Sequence, residues 1–280
     1  MKNRISKFIF KYRVLFIIIF FLLTGFLVRN YYIEKNKVNN QPVIVNPEEQ
    51  VKGRKEEIVK LEKYQVPVLM YHYVRTTDEP EDSVGYKLSV SPDKFDEQMK
   101  WLTDNGFKTV DFSYFEEPVK LDYKPIIITF DDGYRDAYTD AYRILRKYNL
   151  TATFYIITDV VGYPYYMTWD MIKEMSNSKM KFGSHSLSHP DLRNVSDADL
   201  DSQLRYSKDK LEKELNIKID NFCYPSGKYD EKTISKLKEL GYRNAVTTKT
   251  GIANETSNIY EIPRLRIQNN TNIGSILSGL

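Results

Sequence analysis

From Tyr64 to Ile267, short apolar runs alternate with amphipathic stretches, and this alternation constrains the fold more than any other feature. Strands are expected at 66–71, 108–112, 126–130, 151–157, 180–183, 221–224, 244–247 and 264–267. Between them lie helical patterns. Ser91 is placed to cap a helix over 92–104, and 137–147 and 169–176 carry two more. Ser196 with Asp199 forms a capping box ahead of Leu200, Leu204, Leu211 and Leu215. Ile234, Leu237 and Leu240 make the last face, with Gly241 placed to end it. Such alternation means an α/β fold with a mainly parallel sheet. The number of units favours a barrel, complete or incomplete, over an open sheet, which puts the chemistry at the carboxyl ends of the strands.

The net charge of +3 hides an asymmetry. Residues 1–29 hold Lys2, Arg4, Lys7, Lys11, Arg13 and Arg29 and no acid, so the remainder carries 35 − 38 = −3. A mildly acidic body argues against nucleic-acid binding. Neither G-x-x-x-x-G-K-[ST] nor G-x-G-x-x-G occurs, which argues against a nucleotide. One cysteine excludes an internal disulfide framework and a Cys-based zinc site.

Residues 14–28 are uncharged, apolar and preceded by five basic residues, the layout of a secretory signal. No small-x-small cleavage site follows and no cysteine sits behind the run, which favours an uncleaved signal anchor over a cut signal or a lipoprotein. The run would span about 22 Å of a hydrocarbon core about 30 Å thick, with Lys11, Arg13 and Arg29 snorkelling to close the gap. The alternative is a buried core helix. The expectation is therefore a cytoplasmic basic tail (1–13), a transmembrane anchor (14–28), an extracellular linker (29–64) and a catalytic domain (65–280), held at the cell membrane, or secreted if the segment is removed.

Two clusters can carry chemistry. His185 and His189 stand four apart after an expected strand end, where a helical turn would aim both imidazoles at one ion; the alternative is two surface histidines in a polar loop. In Ile126-Ile127-Ile128-Thr129-Phe130-Asp131-Asp132-Gly133 an apolar run ends in two carboxylates. Burying them is costly unless they are paired or metal-bound, and Gly133 lets the chain turn so that one can bind a metal while its neighbour stays free as a base. A solvated turn is the alternative. Two histidines and one aspartate make a three-ligand site with open positions, the catalytic kind. That donor set suits one divalent ion, zinc first, with cobalt, nickel, iron or manganese compatible.

Thr129-Phe130-Asp131-Asp132-Gly133 followed by His185-Ser186-x-x-His189-Pro190 resembles the polysaccharide deacetylases, the NodB-homology or carbohydrate esterase family 4 proteins. Val66-Pro67-Val68-Leu69-Met70-Tyr71-His72-Tyr73-Val74, Thr168-Trp169-Asp170, Phe222-Cys223-Tyr224-Pro225-Ser226-Gly227-Lys228-Tyr229 and Ile262-Pro263-Arg264-Leu265-Arg266 extend the likeness, most closely to the branch acting on poly-N-acetylglucosamine in biofilm matrix. The resemblance implies a distorted, seven-stranded (β/α) barrel. It implies Asp132, His185 and His189 as metal ligands, Asp131 as general base and His72 as catalytic acid. It brings in Tyr224, Pro225, Trp169 and Asp170 for the substrate and the oxyanion; Asp170 is equally a helix-start residue.

The chain also departs from the pattern. Cys223 occupies the place where many relatives carry the arginine that orients the base, and Ser226 stands where many have tyrosine. No histidine follows His189, so the usual carboxyl-terminal Leu-x-His is absent. Tyr134, Tyr138, Tyr163, Tyr165, Tyr166 and Trp169 are candidate platforms for sugar rings. The expected activity is removal of N-acetyl groups from a GlcNAc-containing polymer, either poly-N-acetylglucosamine or peptidoglycan. The competing readings are an O-acetyl esterase and a catalytically silent glycan-binding protein.

Overall fold

Strand, turn and helix signals of the sequence become a curled parallel sheet clothed in helices. The structure, a computed structural model, describes residues 63–77 and 83–280. The basic tail, the apolar run at 14–28 and all but the end of the 29–64 linker lie outside the described residues. Among the described residues no helix is long and apolar enough to cross a membrane.

In chain order the strands and helices are β1 (Gln65–Val66), β2 (Val68–Tyr71), β3 (Tyr73–Val74), α1 (Ser83–Leu88), β4 (Ser89–Val90), α2 (Pro92–Asp104), β5 (Phe107–Thr109), β6 (Lys124–Phe130), α3 (Arg143–Lys147), β7 (Thr153–Ile156), α4 (Trp169–Asn177), β8 (Lys181–Ser184), α5 (Asp197–Leu215), β9 (Asn221–Cys223), α6 (Glu231–Glu239), β10 (Asn244–Val246), β11 (Ala253–Asn254), β12 (Leu265–Arg266) and α7 (Ile273–Leu277). A π-helical turn, Ala137–Tyr142, runs into α3. Seven strands are bonded in the order β10-β9-β8-β7-β6-β2-β12, every pair parallel, and β5 pairs with the start of β6. A parallel bridge between Val246 and Ile262 brings the segment leading to β12 back against β10.

The caps read from sequence are in place. Ser91 accepts from the Lys94 N–H, and Ser196 accepts from the Asp199 N–H at 3.1 Å while its hydroxyl donates to the Asp199 carboxylate. Two strand expectations change. The run 66–71 breaks at Pro67, which has no N–H for a ladder, and β1 leaves to pair antiparallel with β11. The run 108–112 stops at Thr109, because the Asp111 side chain accepts from the Ser113 N–H and starts a 3₁₀ turn, Phe112–Phe115.

A parallel sheet with helices outside buries both faces, and two apolar clusters follow from the period of two. Leu69, Tyr71, Ile126, Ile128, Phe130, Phe154 and Phe182 face the helices. Val68, Ile127, Tyr155, Cys223 and Val246 fill the inside. Phe130 stacks between Tyr71 and Phe154, with ring centroids 5.3 and 4.9 Å away, and fixes the strand end from which the acidic pair emerges. Phe130→Ala is expected to destabilise the protein by about 3–5 kcal/mol, read as a lower denaturant midpoint at unchanged slope.

Candidate metal and catalytic site

Asp131 directly follows β6 in the same alternation as Ile127 and Thr129, so it enters the inner side of the curled sheet, where it is 3% exposed. Its N–H donates to the Tyr71 carbonyl at 3.0 Å, which ties it to the end of β2. Asp132 (φ +73°) and Gly133 (φ +83°) then both take left-handed backbone. Aspartate tolerates that region better than most residues. A side chain on Gly133 would be strained there and would meet Ile156 at 3.3 Å. The double turn sends the two carboxylates to different partners.

Asp132 faces the histidines. Its Oδ1 lies 3.3 Å from His185 Nε2 and 3.7 Å from His189 Nε2, and one ligand atom from each of the three falls within 4.8 Å of the others. His185 Nδ1 is 2.8 Å from the Cys223 carbonyl. A carbonyl only accepts, so Nδ1 carries the proton and the Nε2 lone pair is left for an ion. The residues present therefore fit a divalent metal. The expected helical turn is not what aims the imidazoles. Ser186 (φ +65°) and His189 (φ +61°) are left-handed, and the Ser186 hydroxyl oxygen accepts from the His189 N–H at 2.9 Å, so a looped chain brings the rings together. Asp131, His185 and Cys223 also lie close enough to be ligands. An ion there would have to displace the guanidinium that holds both Asp131 oxygens, so Asp132, His185 and His189 are the better set.

That guanidinium belongs to Arg264, which is fully buried. Its Nη1 and Nη2 donate to the two Asp131 oxygens at 2.7 and 2.8 Å, and its Nε donates to the Thr247 carbonyl at 2.9 Å. Burial would push the Asp131 carboxyl up, but Arg264 outweighs it and holds the group well below the usual carboxylate range. Arg264 Nη2 also lies 3.3 Å from Cys223 Sγ. A guanidinium thus reaches Asp131 from just before β12, where the sequence has Cys223 in place of the expected arginine. The segment Ile262-Pro263-Arg264 was visible in the sequence, but nothing local tied it to Asp131.

His72, just past β2, places Nε2 at 3.9 Å from Asp131 Oδ2. Burial lowers its pKa, partly offset by the Asp131 and Asp132 carboxylates, and its buried Nδ1 has no hydrogen-bond partner among the described residues. A cavity of about 400 Å³ opens over His72, Asp131, Asp132, His185 and His189, with Tyr224, Ser226 and Arg266 also in its wall.

Other expected site residues are placed differently. Trp169 and Asp170 do not line this cavity. They form the first turn of α4 behind the Thr168 cap, where Trp169 packs on the helix-side core and Asp170 is exposed. Pro225 is buried in a 3₁₀ turn and is absent from the cavity wall. The Tyr224 N–H donates to the Val246 carbonyl at 3.3 Å and its hydroxyl to the Tyr260 carbonyl at 2.9 Å, so that N–H is engaged in the sheet. Tyr134 cannot offer a face to a sugar, because Tyr73 stacks on one side at 4.0 Å and Tyr166 on the other at 5.1 Å. Tyr138 donates to Glu174, and of the expected platforms Tyr163 and Tyr165 are the ones that stand strongly exposed.

Comparison with known proteins decides the family. Residues 119–245 match the family described as polysaccharide deacetylase. The Bacillus subtilis (strain 168) protein YxkH, named a polysaccharide deacetylase, is 33% identical over 214 residues, covering 75% of this chain and 74% of that protein. This chain belongs to the polysaccharide deacetylase family. A Staphylococcus aureus (strain N315) poly-β-1,6-N-acetyl-D-glucosamine N-deacetylase is 30% identical over 199 residues, 64% of this chain and 68% of that one. Among solved structures, the Streptococcus pyogenes deacetylase PplD in complex with acetate aligns with a TM-score of 0.71 at 33% identity, over 77% of this chain and 97% of the other.

Proposed function

We propose that this protein is a metal-dependent hydrolase that removes N-acetyl groups from a GlcNAc-containing extracellular polysaccharide, releasing acetate and a free amino sugar. The observation that carries the reading is the convergence of Asp132, His185 and His189 beside a second carboxylate, Asp131, held ionised by Arg264. The S. aureus relative supports the N-acetyl substrate through its name.

A divalent ion, zinc first, would polarise the acetyl carbonyl and make bound water acidic near neutral pH. The chain's own residues then handle protons. Asp131 accepts one from the attacking water as the new C–O bond forms. His72 delivers one to the nitrogen as the C–N bond breaks. A resting His72 that burial keeps neutral must gain its proton during the reaction, and the two nearby carboxylates favour that charge. The same arrangement would cleave an acetate ester. Acetate release from O-acetylated xylan but not from N-acetylated oligomers would transfer the assignment to the esterase reading.

Chelation is expected to abolish acetate release and zinc add-back to restore it, while His185→Ala should lower zinc affinity at least about tenfold, measured by competition with a chromogenic chelator. Activity that survives both treatments would exclude the metal reading. The apolar run at 14–28 behind a basic tail supports an outward-facing enzyme tethered at the cell membrane. Amino-terminal sequencing of the exported protein tests whether the tether is kept.

A further inference from the structure

Beside the catalytic cavity lies a second cleft of about 700 Å³, and Tyr73 and Tyr134 form a wall common to both. Tyr73, Tyr134 and Tyr166 stack in series here, whereas Tyr165 stands exposed in the same wall. Beside that one open ring the cleft presents two guanidiniums. Arg75 lies over the Tyr73 ring at 3.7 Å and its Nε donates to Ser89 Oγ at 3.2 Å. Arg135 donates from Nε to the Tyr166 carbonyl at 3.2 Å. Both are thus anchored through Nε, and among the described residues neither forms an ion pair. On the catalytic side Arg266 lines the cavity, and its side chain makes neither a hydrogen bond nor an ion pair among the described residues.

Among the described residues the acids offset these cations only in part. Asp131 is neutralised by Arg264, and Asp132 is a proposed metal ligand. Among the described residues Asp136 is the one carboxylate in the second cleft; burial pushes it up to about 6 against the pull of Arg75, so it offsets one of the two arginines there at neutral pH, and its Oδ1 has no hydrogen-bond partner among those residues. Among the described residues, Arg75 and Arg135 thus bring unpaired Nη groups to the second cleft, and Arg266 brings one to the catalytic cavity that shares its wall. Guanidinium pairs carboxylate and phosphate oxygens in a planar two-bond geometry.

We propose that this cleft binds an anionic group, a carboxylate or a phosphodiester, on the sugar next to the N-acetylglucosamine being deacetylated. The proposal rests on the deacetylase reading above and narrows its substrate to an acidic glycan, in place of a neutral homopolymer.

Two measurements on the zinc-loaded full-length chain separate this proposal from that reading. The first is calorimetric binding to slow variants, Asp131→Asn and, should that one fold poorly, His72→Gln. The probes are three matched oligosaccharides: neutral β-1,6-linked N-acetylglucosamine, the same acetamido sugar beside a carboxylate-bearing sugar, and the same sugar beside a phosphodiester. At least one anionic probe is expected to bind about tenfold tighter than the neutral one, the better arm naming the anion. That preference should shrink toward one in raised salt and when Arg75→Gln and Arg135→Gln are added. Equal affinities, or a preference that survives loss of both arginines, would overturn the proposal. The second measurement is acetate release by the wild-type chain on the same probes. Preferential binding without acetate release would sink the hydrolase reading and leave the anion site standing. Release from all three at equal kcat/KM would sink the anion site and leave the hydrolase.

Discussion

Asp131→Asn is expected to cut acetate release by about 10²–10⁴-fold while zinc binding stays close to that of the wild-type chain. Asparagine keeps the shape of the side chain but cannot accept the proton of the attacking water. The metal set is spared because its carboxylate is Asp132, turned away from Asp131 by left-handed backbone at 132 and 133. Zinc titration beside a coupled acetate assay checks both halves. An Asn variant that turns over at near-normal rate would remove Asp131 from the proton path and leave His72 as the group to test. A variant that loses zinc together with activity would mean that Asp131, and not only Asp132, faces the ion.

The second large effect is expected at Arg264, which positions Asp131. Arg264→Gln breaks a fully buried, two-bond ion pair and leaves the carboxylate with no charge partner of its own, a change of about 3–5 kcal/mol. Its sign with pH follows from the shift. In the wild-type chain Asp131 is held below its unfolded value of about 3.9. The pair's contribution to stability is therefore present above that pH and fades as pH falls through the lower folded value. Without Arg264, burial dominates and raises the carboxyl, so that contribution disappears and the variant loses stability as pH rises. Denaturation midpoints at pH 4 and pH 7 measure the crossover. Arg264→Lys should recover only part of the loss, because an ammonium cannot make the two parallel bonds. A midpoint for Arg264→Gln equal to wild type at both values would show that the clamp contributes nothing.

Features encoded in neighbouring residues were legible in the sequence. Ser91 and Ser196 announce their helices because a cap is a contact over three residues. The run 126–130 ending in Asp131-Asp132-Gly133 announces a strand that delivers acids to a turn. Features that need the closed fold were not legible. Arg264 reaches Asp131 only because β12 lies beside β2 and β2 beside β6, and no local pattern encodes that. The spacing of His185 and His189 suggested a helical turn, since four residues is the helical repeat. Two left-handed residues achieve the same convergence by another route, one that spacing alone does not reveal. The tyrosines misled for a related reason: composition counts rings, while stacking of Tyr134 between Tyr73 and Tyr166 decides whether a face remains for a sugar.

The split along the chain between the proposed metal-holding and proton-handling residues has a consequence for assembly. Asp132, His185 and His189 all come from the middle of the chain, inside the stretch matched to the family at 119–245, whereas His72 precedes that stretch and Arg264 follows it. The two outliers become neighbours only when Leu265 and Arg266 pair with Leu69 and Met70. A nascent or clipped chain lacking β12 and the arginine just before it would keep every proposed zinc ligand and lose the guanidinium that holds the proposed base. On the proposed roles, loading with the ion and competence for turnover are separable events, and the seam between β2 and β12 is where the second is granted.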